Sequence, residues 1–83
     1  MGSHRRPRFT PEEALGSAVR ELRRERGLTQ EQLAFACERS PHFISDVERA
    51  KYSMSVRTLF AVAGALGARP SEVLRRAEAL LGL

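Results

Sequence analysis

The 83-residue sequence predicts an all-α fold, five short helices in one small domain. Three observations carry this reading. Apolar residues recur at helical spacing in five separate stretches, and no stretch alternates with the period of two that a half-buried strand needs. A helix-starting residue stands before each stretch: Thr10, Thr29, Ser40, Ser55 and Pro70. Glycine or a very short polar link follows most of them.

The first helix opens on Thr10 as N-cap, Pro11 at the first helical position and Glu13 closing a capping box. Ala14, Leu15, Ala18, Val19 and Leu22 then form one apolar stripe, backed by the charged run "RELRRER", and Gly27 ends the helix. Thr29 and Gln32 make a second capping box for a short helix over 30–37, with Leu33, Ala34 and Cys37 inward. Phe35 points outward on that helix; cover by the N-terminal arm is the expected explanation, cover by a partner the other.

A link of about two residues, Glu38 and Arg39, leads to the third helix, 41–49, capped by Ser40 and opened by Pro41. Two short helices joined so tightly must cross steeply, which is the helix-turn-helix unit. On this third helix Phe43, Ile44 and Val47 share one side, and His42, Ser45, Asp46 and Arg49 share the other. After the polar connection "AKYSMS", Ser55 caps a fourth helix, 56–66, with Val56, Leu59, Val62, Ala63 and Leu66 inward and Gly67 at its end. Pro70 opens a fifth helix, 70–81, with Val73, Leu74, Ala77, Leu80 and Leu81 on its apolar stripe.

Residues 1–9 read as a flexible basic arm carrying Arg5, Arg6 and Arg8; "MGSH" (1–4) has the form of an expression scar and is left out of the fold reading. Residues 10–83 read as the domain. The apolar fraction of 42% and charged fraction of 29% are those of a water-soluble domain, and no apolar run approaches membrane-span length. Without a secretory segment the expected location is the cytoplasm. The single cysteine, Cys37, fits a reducing compartment and reads as a small core residue. A net charge of +4, with Lys51 the only lysine among 14 basic residues, points toward a nucleic acid.

Several pieces, in order and with the right spacing, resemble the phage-repressor-type (XRE-like) helix-turn-helix family. "LGSAVRELRRERGLTQEQLA" (15–34) resembles its first two helices, "FISDVERAK" (43–51) its third helix and exit, and "TLFAVAGALGARPSEVL" (58–74) its last two. The resemblance covers roughly 13–76 and implies a compact lambda-repressor-like domain with the helix-turn-helix at helices 2 and 3. Three positions depart from the family pattern. Glu38 and Ala50 stand where the family usually has glycine, and Arg39 where it usually has an apolar residue. A non-glycine residue at positive φ costs about 1 kcal/mol. The Arg39 stem can pack while its head reaches water or phosphate.

In such a fold the third helix lies in the major groove of double-stranded DNA. The resemblance then implies that Pro41, His42, Ser45, Asp46 and Arg49 meet base edges. His42 can donate to guanine, and Asp46, which only accepts, suits the cytosine amino group. The other reading of this face is an ordinary solvated surface, with Asp46 paired to a nearby arginine. Phosphate contacts are expected from Thr29 and Gln30 at the start of helix 2 and from Arg39. Beyond the third helix they are expected from Lys51, Tyr52, Ser53, Ser55 and Arg57. The family's glutamate at the position of Glu48 pairs with an arginine of helix 1, here Arg23, as a structural bridge. The arm fits either a neighbouring minor groove or a loose tail.

Family members usually bind near-palindromic operators as two-fold dimers, with half-sites about 34 Å apart. A homodimer through helix 5 is therefore expected, using Val73, Leu74, Ala77, Leu80 and Leu81; packing of Val73, Leu74 and Ala77 within the chain is the alternative. A non-enzymatic, nucleoid-associated transcriptional regulator follows. His42, Ser45 and Asp46 share a helix face, but a catalytic triad also needs a cleft and an oxyanion hole; the sequence has no metal-binding motif or phosphate loop, so no cofactor or metal is expected. Two variants of the reading remain: a restriction-modification controller protein, or an antitoxin-type module with a protein toxin as main partner. Contact with RNA polymerase belongs with the regulator reading.

Overall fold

The computed structural model describes residues 9–83. They form five helices: α1 (Pro11–Glu25), α2 (Gln30–Ala36), α3 (Pro41–Glu48), α4 (Val56–Leu66) and α5 (Pro70–Leu80). No strand occurs among the described residues. Helices 2, 3 and 5 each stop one residue short of the sequence expectation, with Cys37, Arg49 and Leu81 as C-caps.

Local chemistry sets each start. Thr10 and Thr29 both form complete capping boxes: the hydroxyl accepts from the N–H three residues on, and the Glu13 or Gln32 side chain accepts from the cap's own N–H. Ser40 and Ser55 accept from the N–H groups of Phe43 and Thr58. Arg69 caps α5 without a side-chain bond, so Pro70 alone sets that start. Gly67 closes α4 in the left-handed conformation, φ 69°.

The core draws Ala14, Ala18, Val19 and Leu22 from α1, Leu33 and Ala34 from α2, and Ile44 and Val47 from α3. Leu59, Val62, Ala63 and Leu66 come from α4, and Val73 and Ala77 from α5. The first helix is central, packing on α5, α3 and α4. Where it crosses α3 there is no room for a side chain. A Cβ on Gly16 would stand 2.5 Å from the carbonyl oxygen of Val47 and 2.8 Å from that of Glu48. The glycine therefore seats the C-terminal end of α3 directly on α1.

Three residues, Val56, Val73 and Ala77, depart from their expected places. Val56, expected inward, is 73% exposed at the first position of α4, while Thr58 two residues on takes the buried place in that turn. Val73 and Ala77, expected at a dimer interface, are buried at 0% and 4% exposure in the chain's own core, where α5 packs on α1. Leu80 and Leu81 are half-buried against the same core, which leaves Leu74 and the terminal Leu83 as the exposed apolar residues of that end. Phe35 points outward as expected and is 86% exposed, and Phe9, the one described residue of the arm, packs on the core. Residues 1–8, and with them the minor-groove expectation, lie outside the described residues.

Ion pairs fasten α5 to the end of α1. Arg76 bonds Glu25 and lies 3.5 Å from Glu21, while Arg26 lies 3.6 Å from Glu72. The Arg76 guanidinium holds the Glu25 carboxyl below its usual pKa, and the same bond raises that of Arg76.

Candidate nucleic-acid interface

Four residues, Cys37 to Ser40, separate α2 from α3, and the two helices pack on each other. Glu38 takes φ 58° in that turn, and Ala50 takes φ 59° at the exit of α3. Both are the left-handed positions at which the family pattern has glycine. Backbone bonds hold the conformation: Arg39 N–H donates to Ala34 at 2.8 Å, and Lys51 N–H donates to Asp46 at 2.8 Å.

Beneath the unit lies a buried polar knot. Glu48, its side chain fully buried, accepts from Arg23 Nε at 2.6 Å, Arg23 Nη2 at 3.1 Å and Gln30 Nε2 at 3.0 Å. Arg23 donates further to the Leu28 carbonyl at 2.8 Å, and Arg20 Nε lies 3.5 Å from Glu48. Both Glu48 oxygens and both faces of the Arg23 fork are used, which offsets the cost of burying the charges. The knot ties α1, the start of α2 and the end of α3 into one body. Among the described residues no buried side-chain nitrogen or oxygen lacks a partner.

Above the knot, Ile44 and Val47 turn into the core and leave Pro41, His42, Ser45, Asp46 and Arg49 along the outer side of α3. His42 and Arg49 are exposed, and Ser45 and Asp46 half-exposed. His42 Nε2 lies 3.4 Å from Asp46 Oδ2, one helical turn away. The carboxylate thus faces the histidine and not an arginine. This edge presents an imidazole, a hydroxyl, a carboxylate and a guanidinium within two turns of helix.

The residues expected to hold phosphates divide into engaged and free groups. The Thr29 hydroxyl and N–H are both engaged in the capping box, and the Gln30 amide is engaged with Glu48. The Ser55 hydroxyl caps α4 and donates to Thr58 Oγ1 at 3.0 Å. Lys51, Ser53 and Arg57 are exposed around the exit of α3. Tyr52 sets its ring edge-on to Phe43, centroids 4.8 Å apart, and the Arg39 guanidinium lies 4.2 Å above the same Phe43 ring.

Sequence reasoning placed Phe43 on the core side and missed this cluster, because Arg39 lies in the turn before α3 and helical spacing does not relate it to Phe43. It also missed Gly16 and the Gln30–Glu48 bond; neither leaves a pattern in one sequence. Cys37 is half-buried, and burial pushes its thiol pKa up against the opposing charge of Arg39. That keeps it protonated and unreactive at neutral pH. No group of three metal-ligating side chains occurs among the described residues, and no helix of the described residues is long and apolar enough to cross a membrane.

A family model described as "Helix-turn-helix domain" matches residues 14–77. The chain belongs to this helix-turn-helix family. Its members of known role among the relatives are transcriptional regulators, not enzymes. The chain is 43% identical over 60 residues to the immunity repressor protein of Bacillus phage phi105, covering 72% of this chain but 42% of the repressor. It is 35% identical over 60 residues to the control protein C.BamHI of Bacillus amyloliquefaciens, covering 71% of this chain and 74% of that protein. The crystal structure of the clp gene regulator ClgR from C. glutamicum superposes with a TM-score of 0.83 at 38% identity, over 86% of this chain and 92% of that one. Among the described residues the five-helix, strand-free architecture expected from the sequence is therefore the fold of this helix-turn-helix family, whose relatives named above are a repressor, a control protein and a gene regulator.

Proposed function

We propose that the protein is a sequence-specific regulator of transcription that binds double-stranded DNA as a homodimer on a near-palindromic operator. The third helix lies in the major groove. Pro41, His42, Ser45, Asp46 and Arg49 meet base edges, and Arg39, Lys51, Ser53 and Arg57 meet phosphates. Thr29, Gln30 and Ser55 contribute through the helix starts that they hold in place. The observation that carries this reading is the hydrogen-bonding outer edge of α3, seated on a buried ionic knot and flanked by exposed cations.

The homodimer uses the exposed side of α5 around Leu74 and Leu83, not Val73 and Ala77. One short helix spans only a few base pairs, and a two-fold pair doubles the site that is read. Among its relatives the control protein supplies the controller-type role, and the phage repressor the repressor role. The protein acts in the cytoplasm, on the nucleoid. The exposure of Phe35 supports a second reading in which another protein binds at α2 and DNA binding is autoregulatory.

Selection of bound sequences from a random duplex library at about 150 mM salt, where phosphate attraction alone is weak, tests the reading. The expected result is an inverted repeat whose half-sites are about 34 Å apart. Absence of any enriched sequence overturns sequence-specific binding and leaves the protein-partner reading.

A further inference from the structure

We propose that Arg39, Phe43 and Tyr52 form one prebuilt phosphodiester-binding element, in which the Phe43 ring, braced edge-on by Tyr52, holds the Arg39 guanidinium at the leading edge of α3. This rests on the DNA-binding reading above and deepens it at one of its phosphate contacts, by saying what holds that cation in place. The Arg39 guanidinium carbon lies 4.2 Å from the Phe43 ring centroid, and Phe43 is braced edge-on by Tyr52 at 4.8 Å and 61°. Arg20, Arg23, Arg26 and Arg76 pair with carboxylates, whereas Arg39, like Arg24, Arg49, Arg57, Arg69 and Arg75, has no ion pair among the described residues, and of these Arg39 is the one that lies on an aromatic ring. It is exposed, and its backbone is tied to Ala34 across the turn.

The chemistry follows from this geometry. A guanidinium lying on a ring satisfies its flat face and keeps its in-plane N–H donors free, in the fork that matches two oxygens of a phosphate. The rings also fix a side chain that is otherwise among the most mobile, so less ordering is left for the moment of binding. The position is a departure from the family pattern, which usually has an apolar residue here. Arginine lays its flat face on the ring and adds a cation. Phe43 and Tyr52 are positioning residues; Arg39 makes the contact.

The test measures affinity against salt for a duplex enriched by selection and for a random-sequence duplex of the same length. Arg39→Leu restores the family's apolar type and should retain the wild-type melting temperature closely. It should lower affinity about tenfold on both duplexes, as a sequence-independent contact does. The slope of log K on log salt should become shallower by about 0.9, one phosphate contact. Phe43→Leu should cost about threefold with the slope kept, and should cost nothing further in the Arg39→Leu background. An unchanged slope in Arg39→Leu, a loss confined to the enriched duplex, or an equal cost of Phe43→Leu in both backgrounds overturns the element. Failure of the wild-type protein to prefer any sequence overturns the regulator reading instead. The phosphate element still stands or falls on the random duplex.

Discussion

Gly16→Ala should destabilise the protein, although intrinsic helix preference says the reverse. Alanine is favoured over glycine by about 1 kcal/mol inside a helix. At position 16 that gain meets backbone that cannot give way. The new Cβ would stand 2.5 Å and 2.8 Å from two carbonyl oxygens of α3, where normal contact needs about 3.5 Å. Relief requires α3 to move from α1 by about 1 Å, and Glu48 moves with it. Overpacking of this kind costs about 1–3 kcal/mol, and lengthening the Arg23–Glu48 bonds adds to it. The net loss should be about 1–2 kcal/mol, a fall of roughly 5–10 °C in melting temperature for a domain of this size. Gly64 in α4 is the control, since its Cβ would meet nothing within 4 Å; Gly64→Ala should gain about 0.5–1 kcal/mol. Thermal melts followed by circular dichroism read both signs. If Gly16→Ala melts at or above the wild-type temperature, the close seating of α3 on α1 is wrong.

Three further outcomes follow from particular residues. Glu48→Ala strands the Arg23 cation and frees the Gln30 amide in a buried site. It should cost about 3 kcal/mol or more in urea unfolding, whereas a surface pair would cost less than 1. Ala50→Gly relieves the left-handed strain at φ 59° and should raise stability by up to about 1 kcal/mol, read as a higher urea midpoint with the same slope. Asp46→Ala removes a carboxylate that, under the proposed function, repels phosphates and reads a base. Affinity for random duplex should rise and preference for the enriched site should blur; equal losses on both duplexes count against any base-reading role.

The elements were legible because each carries its own punctuation. Capping boxes at Thr10 and Thr29, serine caps at 40 and 55, and proline at 70 set every start to the residue. The family resemblance showed where Glu38 and Ala50 must take positive φ. Burial was less legible. A helical stripe says which side is apolar, not how far along the helix a neighbour extends, so Val56 was wrongly placed inside and Val73 and Ala77 wrongly placed outside. The outer edge of α3 could be named from the sequence. Its partners could not, because the His42–Asp46 pair competes with arginines at comparable reach and only coordinates choose between them. The ring stack beneath Arg39 joins three residues across a turn and a loop, and a single sequence has no signal for Tyr52.

The central claim is that the outer edge of α3 reads DNA. It is tested most directly by titrating the enriched duplex into isotope-labelled protein and following backbone amide resonances. The expected result is that the largest shifts fall on residues 39–52, with smaller shifts at the start of α2. Those of α1's charged face and of the ion-paired end of α5 should stay in place. Shifts centred on α4 or α5, with His42, Ser45, Asp46 and Arg49 unmoved at saturation, contradict the claim.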